Sequence, residues 1–143
     1  MVAKPGTTSL SGNHPAQVLV LTIANTVSNE VIVWVNNTGQ TVRITQASFI
    51  PEDALTGAAT NNLTLQFRNK GLVGTGTTGI TAIKTYASGT DIAAFDEDAL
   101  VLSTTLTDLD VAAGEVVALN KAENGTGLTL PAGIASITYQ FSQ

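Results

Sequence analysis

The sequence predicts an all-β protein, an antiparallel β-sandwich with a jelly-roll-like topology, and three observations lead to that prediction. First, Leu63–Arg68 (LTLQFR) alternates large apolar and polar residues, which is the pattern of a strand with one buried face. Second, about eight or nine short segments of this kind follow one another at a spacing of roughly 8–15 residues, separated by turn-forming residues. Third, no segment shows the periodicity of an amphipathic helix. A barrel is the alternative arrangement of the same strands.

The composition favours one packed domain that is built for contacts with other proteins. The chain has 143 residues, of which 43% are hydrophobic and 12% are charged, whereas an average soluble domain has roughly 25% charged residues. A sparsely charged, Thr-rich surface is typical of a protein that packs against copies of itself or against a partner. The net charge is −5 and no run of Lys or Arg occurs, so we expect no nucleic-acid partner.

The sequence also argues against a membrane protein and against any chemistry that depends on cysteine. The longest apolar runs, Val18–Ile23 and Val31–Val35, are far too short to cross a bilayer, so we expect no membrane partner. The sequence contains no cysteine, which removes disulfides, thiolate metal sites and cysteine nucleophiles. Packing, hydrogen bonds or oligomerisation must therefore stabilise the fold.

The chain divides into an extended N-terminal arm, residues 1–16, and a β-sandwich domain, residues 17–143. The arm contains Pro5, Gly6, Gly12 and Pro15 and almost no large apolar side chains. Two interpretations stay open for it. It is either a loose tail or a segment that becomes ordered on a neighbouring subunit, where extended backbone adds to an exposed strand edge.

The first half of the sandwich domain is predicted to contain buried strands at Gln17–Ile23 and Glu30–Val35 and an alternating strand at Gln40–Ile50. Because Asn36–Gly39 (NNTG) is a tight-turn signal, the sequence predicts a hairpin over Val31–Ile44. In the second half the acidic stretch Asp91–Asp98 (DIAAFDED) is compatible with a single helical turn. The remaining strands are predicted at Ile80–Ala87, Ala99–Leu106, Asp108–Val111, Glu115–Asn120 and Ile134–Phe141.

The segment Gly74–Gly79 (GTGTTG) matches the glycine pattern of dinucleotide-binding loops letter for letter. That chemistry requires a strand, a glycine turn and then a helix whose N-terminus faces the pyrophosphate. Here the glycines lead into Ile80–Ile83, which is a strand pattern. The sequence therefore predicts a hairpin loop and no nucleotide cofactor.

The acidic residues raise the possibility of a calcium loop. Asp96–Asp98, with Asp91 nearby and Asp108 and Asp110 further along, lack the spacing, central glycine and distant glutamate of an EF-hand. We interpret the stretch as a solvated acidic loop and expect no metal and no cofactor.

Catalysis has few candidate residues. The single histidine, His14, lies in the predicted arm, and no G-x-S-x-G sequence is present to supply an activated serine. Hydrolysis of glycosides by two carboxylates stays open, but aromatic platforms for sugars are scarce, and Trp34 is predicted to belong to the core. The sequence predicts a protein that is not an enzyme and has no catalytic residues.

Six short segments, in this order and at this spacing, resemble a family of tailed-bacteriophage head decoration, or cement, proteins over about Phe49–Ser142. Glu115 and Lys121–Asn124 depart from the polar pattern of the family, and residues 1–48 do not match it. The segments are LTGAATNN (Leu55–Asn62), NKG (Asn69–Gly71), GTGTT (Gly74–Thr78), AFDEDALVLS (Ala94–Ser103), VAAGEVV (Val111–Val117) and GTGLTLPAG (Gly125–Gly133).

The resemblance implies a β-rich, trimeric protein that binds at three-fold positions outside the capsid shell and strengthens it against the pressure of packaged DNA. It implies the major capsid protein and further copies of the chain as partners, and assembly in the host cytoplasm. The alternative is a carbohydrate- or receptor-binding module, or another structural module, of a phage tail or fibre. The predicted capsid or subunit contacts are in the arm (Lys4, Pro5, Leu10 and His14) and in two loops (Pro51, Leu55, Leu72 and Val73).

Overall fold

The protein is an all-β sandwich of two antiparallel sheets, as predicted. The computed structural model describes residues 14–23 and 29–142, and for residues 14–23 it describes the backbone. In chain order the strands are β1 (His14–Ile23), β2 (Asn29–Val35), β3 (Val42–Pro51), β4 (Leu63–Asn69), β5 (Thr78–Gly79), β6 (Lys84–Thr85), β7 (Asp98–Ala99), β8 (Asp110–Val111), β9 (Val116–Glu123) and β10 (Leu130–Phe141). The helical content of the described residues is one short 3-10 helix, Leu106–Leu109.

Each sheet contains strands from both halves of the chain. The first sheet has the order β1-β10-β3-β7, and β8 also pairs with β3. The second has the order β2-β9-β4-β5, and β6 also pairs with β4. The early strands β1 to β4 thus alternate between the two sheets. The jelly-roll-like topology stays a prediction.

The core lies between the sheets and is built from alternate residues of the long strands. In β4, Leu63, Leu65 and Phe67 are fully buried, which confirms the alternation predicted for this strand. From the opposite sheet, Phe49 and Ile137 are buried at the same depth. Because adjacent residues of a strand point to opposite faces, this alternation fixes which side of each strand meets the other sheet.

The predicted hairpin over Val31–Ile44 is wrong, although its turn residues do form a bend. Strand β2 pairs with β9, and β3 pairs with β10, so the segment 36–41 carries the chain from one sheet to the other. The side chain of Asn36 is fully buried at this crossing. Its Nδ2 donates to the carbonyl oxygens of Gln40 and Val111, both at 2.8 Å. The contact with Val111 of β8, which is distant in the chain, holds the segment 36–41 as it crosses the sandwich.

The second half of the chain contains less regular strand than predicted. Within Ile80–Ala87 only β6 is a strand, and within Ala99–Leu106 only the end of β7 is. A single bridge between Thr81 and Leu102 joins the two segments. The helical turn considered for Asp91–Asp98 is absent, and the 3-10 helix lies at Leu106–Leu109 instead. Short edge strands of this kind present few free backbone groups, which limits uncontrolled pairing with other chains.

Lys121 and Glu115 have structural roles in the sandwich. The side chain of Lys121 is fully buried, and its Nζ lies 3.7 Å from Oε2 of Glu123. Burial lowers the pKa of Lys121, and the nearby carboxylate opposes that shift. Glu115 accepts hydrogen bonds at Oε2 from the Ala112 N–H and from Nδ2 of Asn69, both at 2.8 Å.

Candidate interaction surface

The predicted arm contacts fall mostly outside the described residues. Lys4, Pro5 and Leu10 lie there, together with the rest of residues 1–13. His14 is the first residue of β1, and its Cα partner in β10 is Tyr139. The first strand therefore begins three residues before the start predicted at Gln17, and its backbone belongs to the first sheet.

Two of the predicted loop contacts point inward. Pro51, the last residue of β3, is buried, and Leu55 is also buried. Leu55 and Ile92 exchange two backbone hydrogen bonds of 2.9 Å, which join the loop after β3 to the loop before β7. In the fold, both side chains help to fill the interior. The contact role predicted for Pro51 and Leu55 stays a prediction.

The other two predicted contacts lie on the surface. Leu72 is 70% exposed and Val73 is 82% exposed, at the tip of the loop that joins β4 to β5. We call these two residues the hairpin tip. Contiguous exposed apolar side chains are a feature of interaction sites, whereas single ones are common on any surface.

The loop that carries the hairpin tip is held by hydrogen bonds at its base. The Gly71 N–H donates to Oδ1 of Asn69 at 2.8 Å, and Nδ2 of Asn69 donates to Glu115. The Lys70 N–H donates to the carbonyl oxygen of Val116 at 2.7 Å, and the Gly76 N–H donates to that of Lys70 at 2.9 Å. A loop ordered in this way loses less conformational entropy when it binds a partner.

The glycine-rich segment is a hairpin, as predicted. Strand β5 pairs antiparallel with β4, with Arg68 opposite Gly79 and Asn69 opposite Thr78. No helix follows these glycines, so the segment lacks the helix N-terminus that a dinucleotide phosphate requires.

The acidic stretch before β7 contains one residue that sequence reasoning missed. Phe95 is 77% exposed and has a φ of 62°, and it is the one non-glycine residue with positive φ in the described part of the chain. Its N–H donates to the carbonyl oxygen of Pro51 at 2.7 Å. The available signal was an aromatic residue inside the acidic segment DIAAFDED, which we interpreted as a solvated acidic loop.

Within this stretch, Asp98 is bound by two side chains. Its Oδ2 accepts a 2.6 Å hydrogen bond from the Tyr86 hydroxyl, and its Oδ1 lies 3.2 Å from Nζ of Lys84. Burial, and then the hydrogen bond to this carboxylate, raise the pKa of Tyr86 well above its ordinary range. Across residues 14–23 and 29–142, no three His, Cys, Asp or Glu side chains come together in a way that could hold a metal ion.

Every described Lys and Arg side chain is paired with a carboxylate. The negative charge that is not balanced by an ion pair therefore lies on the other carboxylates. Arg43 forms a bidentate pair with Asp110, with both distances 2.8 Å. Its guanidinium holds the pKa of Asp110 below the usual range. The other pairs are Arg68–Glu30, Lys70–Glu30, Lys84–Asp98 and Lys121–Glu123.

An open cleft of about 590 Å³ lies beside β2. Trp34, which we expected in the core, is only partly buried and stacks on Tyr139 with ring centroids 5.1 Å apart. The cleft is lined by Ile32, Val33, Trp34, Val35, Asn37, Thr38 and Tyr139. The aromatic rings, with an exposed amide and a hydroxyl beside them, are the kinds of groups that bind a sugar ring.

The fold and its surface thus define an all-β sandwich whose exposed large apolar side chains lie mainly on loops. No protein family and no curated protein matches the sequence. A chain in the structure of infectious bursal disease virus Gx strain is similar in fold, with a TM-score of 0.44 and 13% sequence identity. The match covers 93% of this chain and 33% of that chain, so this protein spans about a third of its length. A likeness at this level carries no functional argument. Among the described residues, no helix is long and apolar enough to span a membrane.

Proposed function

We propose that the protein is a structural component of a virion that decorates and stabilises the outer surface of a tailed-bacteriophage capsid. In this proposal it binds at subunit junctions as a homotrimer, and its partners are the major capsid protein and its own copies. The observation that carries the proposal is the hairpin tip, where Leu72 and Val73 are exposed side by side on an ordered loop. The resemblance of the loop segments to head decoration proteins supports the same proposal.

The mechanism is attachment by many weak contacts. Two apolar side chains on one loop bury far less area than a standard interface, which requires about 1,600 Å² in total. A trimer that engages three neighbouring shell subunits at once turns the second and third contacts into intramolecular events, and avidity then raises the overall affinity. Each bound trimer spans a junction and resists its separation.

The test is co-sedimentation of the protein with purified expanded heads, together with its solution mass from light scattering. We expect a trimer that binds heads and raises their resistance to heat. The double variant Leu72→Ser, Val73→Ser should lose head binding or trimer formation while keeping the β-sheet circular dichroism spectrum. Val101→Ser is the matched control, because Val101 is 73% exposed and lies outside the tip. A monomer that does not bind heads would refute the proposal.

A second candidate function is a carbohydrate- or receptor-binding module of a tail or fibre, which the cleft beside β2 favours. A glycan array tests it directly. Binding of one class of glycan, reduced by Asn37→Ala, would support this candidate, since Asn37 is exposed and lines the cleft. A third candidate function is that of a structural protein of the tail or baseplate. Immunogold labelling of intact particles distinguishes it by the location of the protein.

A further inference from the structure

Phe95 lies at one end of the sandwich, away from the hairpin tip. Phe95 lies beside Pro51, the last residue of β3, whereas the loop of the tip is anchored through Asn69 to Asp110, opposite the first residues of β3. Strand β3 has 10 residues, which corresponds to roughly 30 Å at about 3.3 Å per residue. Phe95 and the hairpin tip are therefore at opposite ends of the described sandwich.

The backbone holds Phe95 outward at an energetic cost. A left-handed conformation is unfavourable for a non-glycine residue. The ring is 77% exposed, so it adds little to the packing of either sheet. Hydrogen bonds fix the loop around it: the Phe95 N–H donates to Pro51, and the Gly57 N–H donates to Oδ1 of Asp91 at 2.9 Å. Conformations of this kind persist where the surrounding structure imposes them, and they concentrate at functional sites.

The charge around Phe95 indicates what kind of surface it contacts. Five exposed carboxylates on the two joined loops form no ion pair within the described part of the chain, and we call them the acidic rim: Glu52, Asp53, Asp91, Asp96 and Glu97. Phe95 is the exposed aromatic side chain of these two loops, and an apolar side chain bordered by charged residues is typical of an interface anchor. The complementary surface is an apolar pocket bordered by Lys or Arg.

The same charges argue against a second copy of this chain as the partner. Each described cation is already paired with a carboxylate of its own chain. Two acidic rims facing each other would repel. A different protein with free basic residues is the occupant that fits.

We propose that Phe95 is the anchor by which this protein docks into a basic-rimmed apolar pocket of another protein. This inference rests on the proposed function, in which that protein is the capsid shell. The hairpin tip, at the far end, then serves contacts between copies of the chain.

The experiment measures the affinity of the full chain for purified expanded heads and, in parallel, its solution mass. Phe95→Ser should weaken head binding by about 30-fold or more, the size of a hot-spot loss, and leave the mass unchanged. Val101→Ser, the matched control with similar exposure, should change neither. The variant Asp96→Asn, Glu97→Gln should bind more weakly at about 0.05 M salt and show a smaller salt dependence than the natural chain.

The outcomes separate the two proposals. If the natural chain binds heads and Phe95→Ser binds equally well, the anchor is refuted and the proposed function stands. If Phe95→Ser lowers the oligomeric mass instead, Phe95 contacts another copy of the chain and the inference is wrong. If the natural chain does not bind heads at all, both proposals fail together.

Discussion

The crossing between the two sheets at Asn36 offers the sharpest test of how this fold is held. We consider Asn36→Ala, which removes a fully buried amide and inserts no new group. Besides its two donated bonds, Oδ1 of Asn36 accepts from the Thr38 N–H at 3.1 Å and from the Thr38 hydroxyl at 2.7 Å. The substitution leaves the carbonyl oxygen of Val111 buried without this donor.

The magnitude follows from these four bonds. A hydrogen bond contributes about 1 kcal/mol net, and an acceptor left buried without its partner costs about 1–3 kcal/mol. Thr38 and Gln40 are partly or fully exposed, so water replaces part of what they lose. We expect the free energy of unfolding to fall by about 3–4 kcal/mol, a large share of the roughly 5–15 kcal/mol typical of a domain. That loss corresponds to a fall in Tm of about 10 °C for a chain of this size.

The assay is urea unfolding followed by circular dichroism, with thermal unfolding beside it. Asn37→Ala is the matched control, because Asn37 is the same residue type at the next position and its side chain is exposed. It should change the free energy of unfolding by less than about 0.5 kcal/mol. If Asn36→Ala destabilises the protein no more than Asn37→Ala does, the side chain does not hold the crossing and our reasoning is wrong.

Three further predictions concern other parts of the fold. Phe95→Gly should raise the free energy of unfolding by about 0.5 kcal/mol in urea titration. The backbone strain that is relieved in the folded state exceeds the entropic cost of the more flexible glycine in the unfolded chain. A loss of stability would contradict the claim of strain. Asp110→Asn should destabilise the protein at pH 7, and the difference in Tm from the natural chain should shrink as pH falls. Arg43 lowers the pKa of Asp110 in the folded state. The stability that the ionised Asp110 contributes is therefore present above the ordinary aspartate pKa and is lost as pH falls through the lowered value. A difference in Tm that is constant from pH 7 to pH 2 would refute the role of the charge. Tyr86→Phe should lower the free energy of unfolding by about 1–3 kcal/mol through loss of the 2.6 Å bond to Asp98, and unchanged urea unfolding would show that water replaces that bond.

The strands with a clear alternation were predictable from sequence because one face of each must be buried. Leu63–Arg68 was located within one residue of β4, and Ile134–Phe141 lies within β10. The β-sandwich followed from the number and spacing of such segments. The loop that carries Leu72 and Val73 was also predictable, since glycines lie on both sides of these residues.

The pairing of strands was not predictable in the same way. An apolar run such as Val31–Val35 fits either sheet, because alternation specifies a buried face and not a neighbour. The turn at residues 36–39 suggested the nearest strand, but Asn36 is bound by the Val111 carbonyl, 75 positions away. Likewise the sequence placed Leu55 in a loop and did not indicate that its backbone pairs with that of Ile92.

What the sequence by itself determined is therefore local: that the clearly alternating segments are strands, which face of those strands is buried, which loops carry glycine, and that the chain is acidic. Only the tertiary structure decided which strands are neighbours, that Phe95 is held outward beside Pro51, and that the described cations are paired while the acidic rim is not. The physical reason is that local alternation and turn chemistry act within a few residues. Pairing, strain and charge balance depend on contacts between residues far apart in the chain.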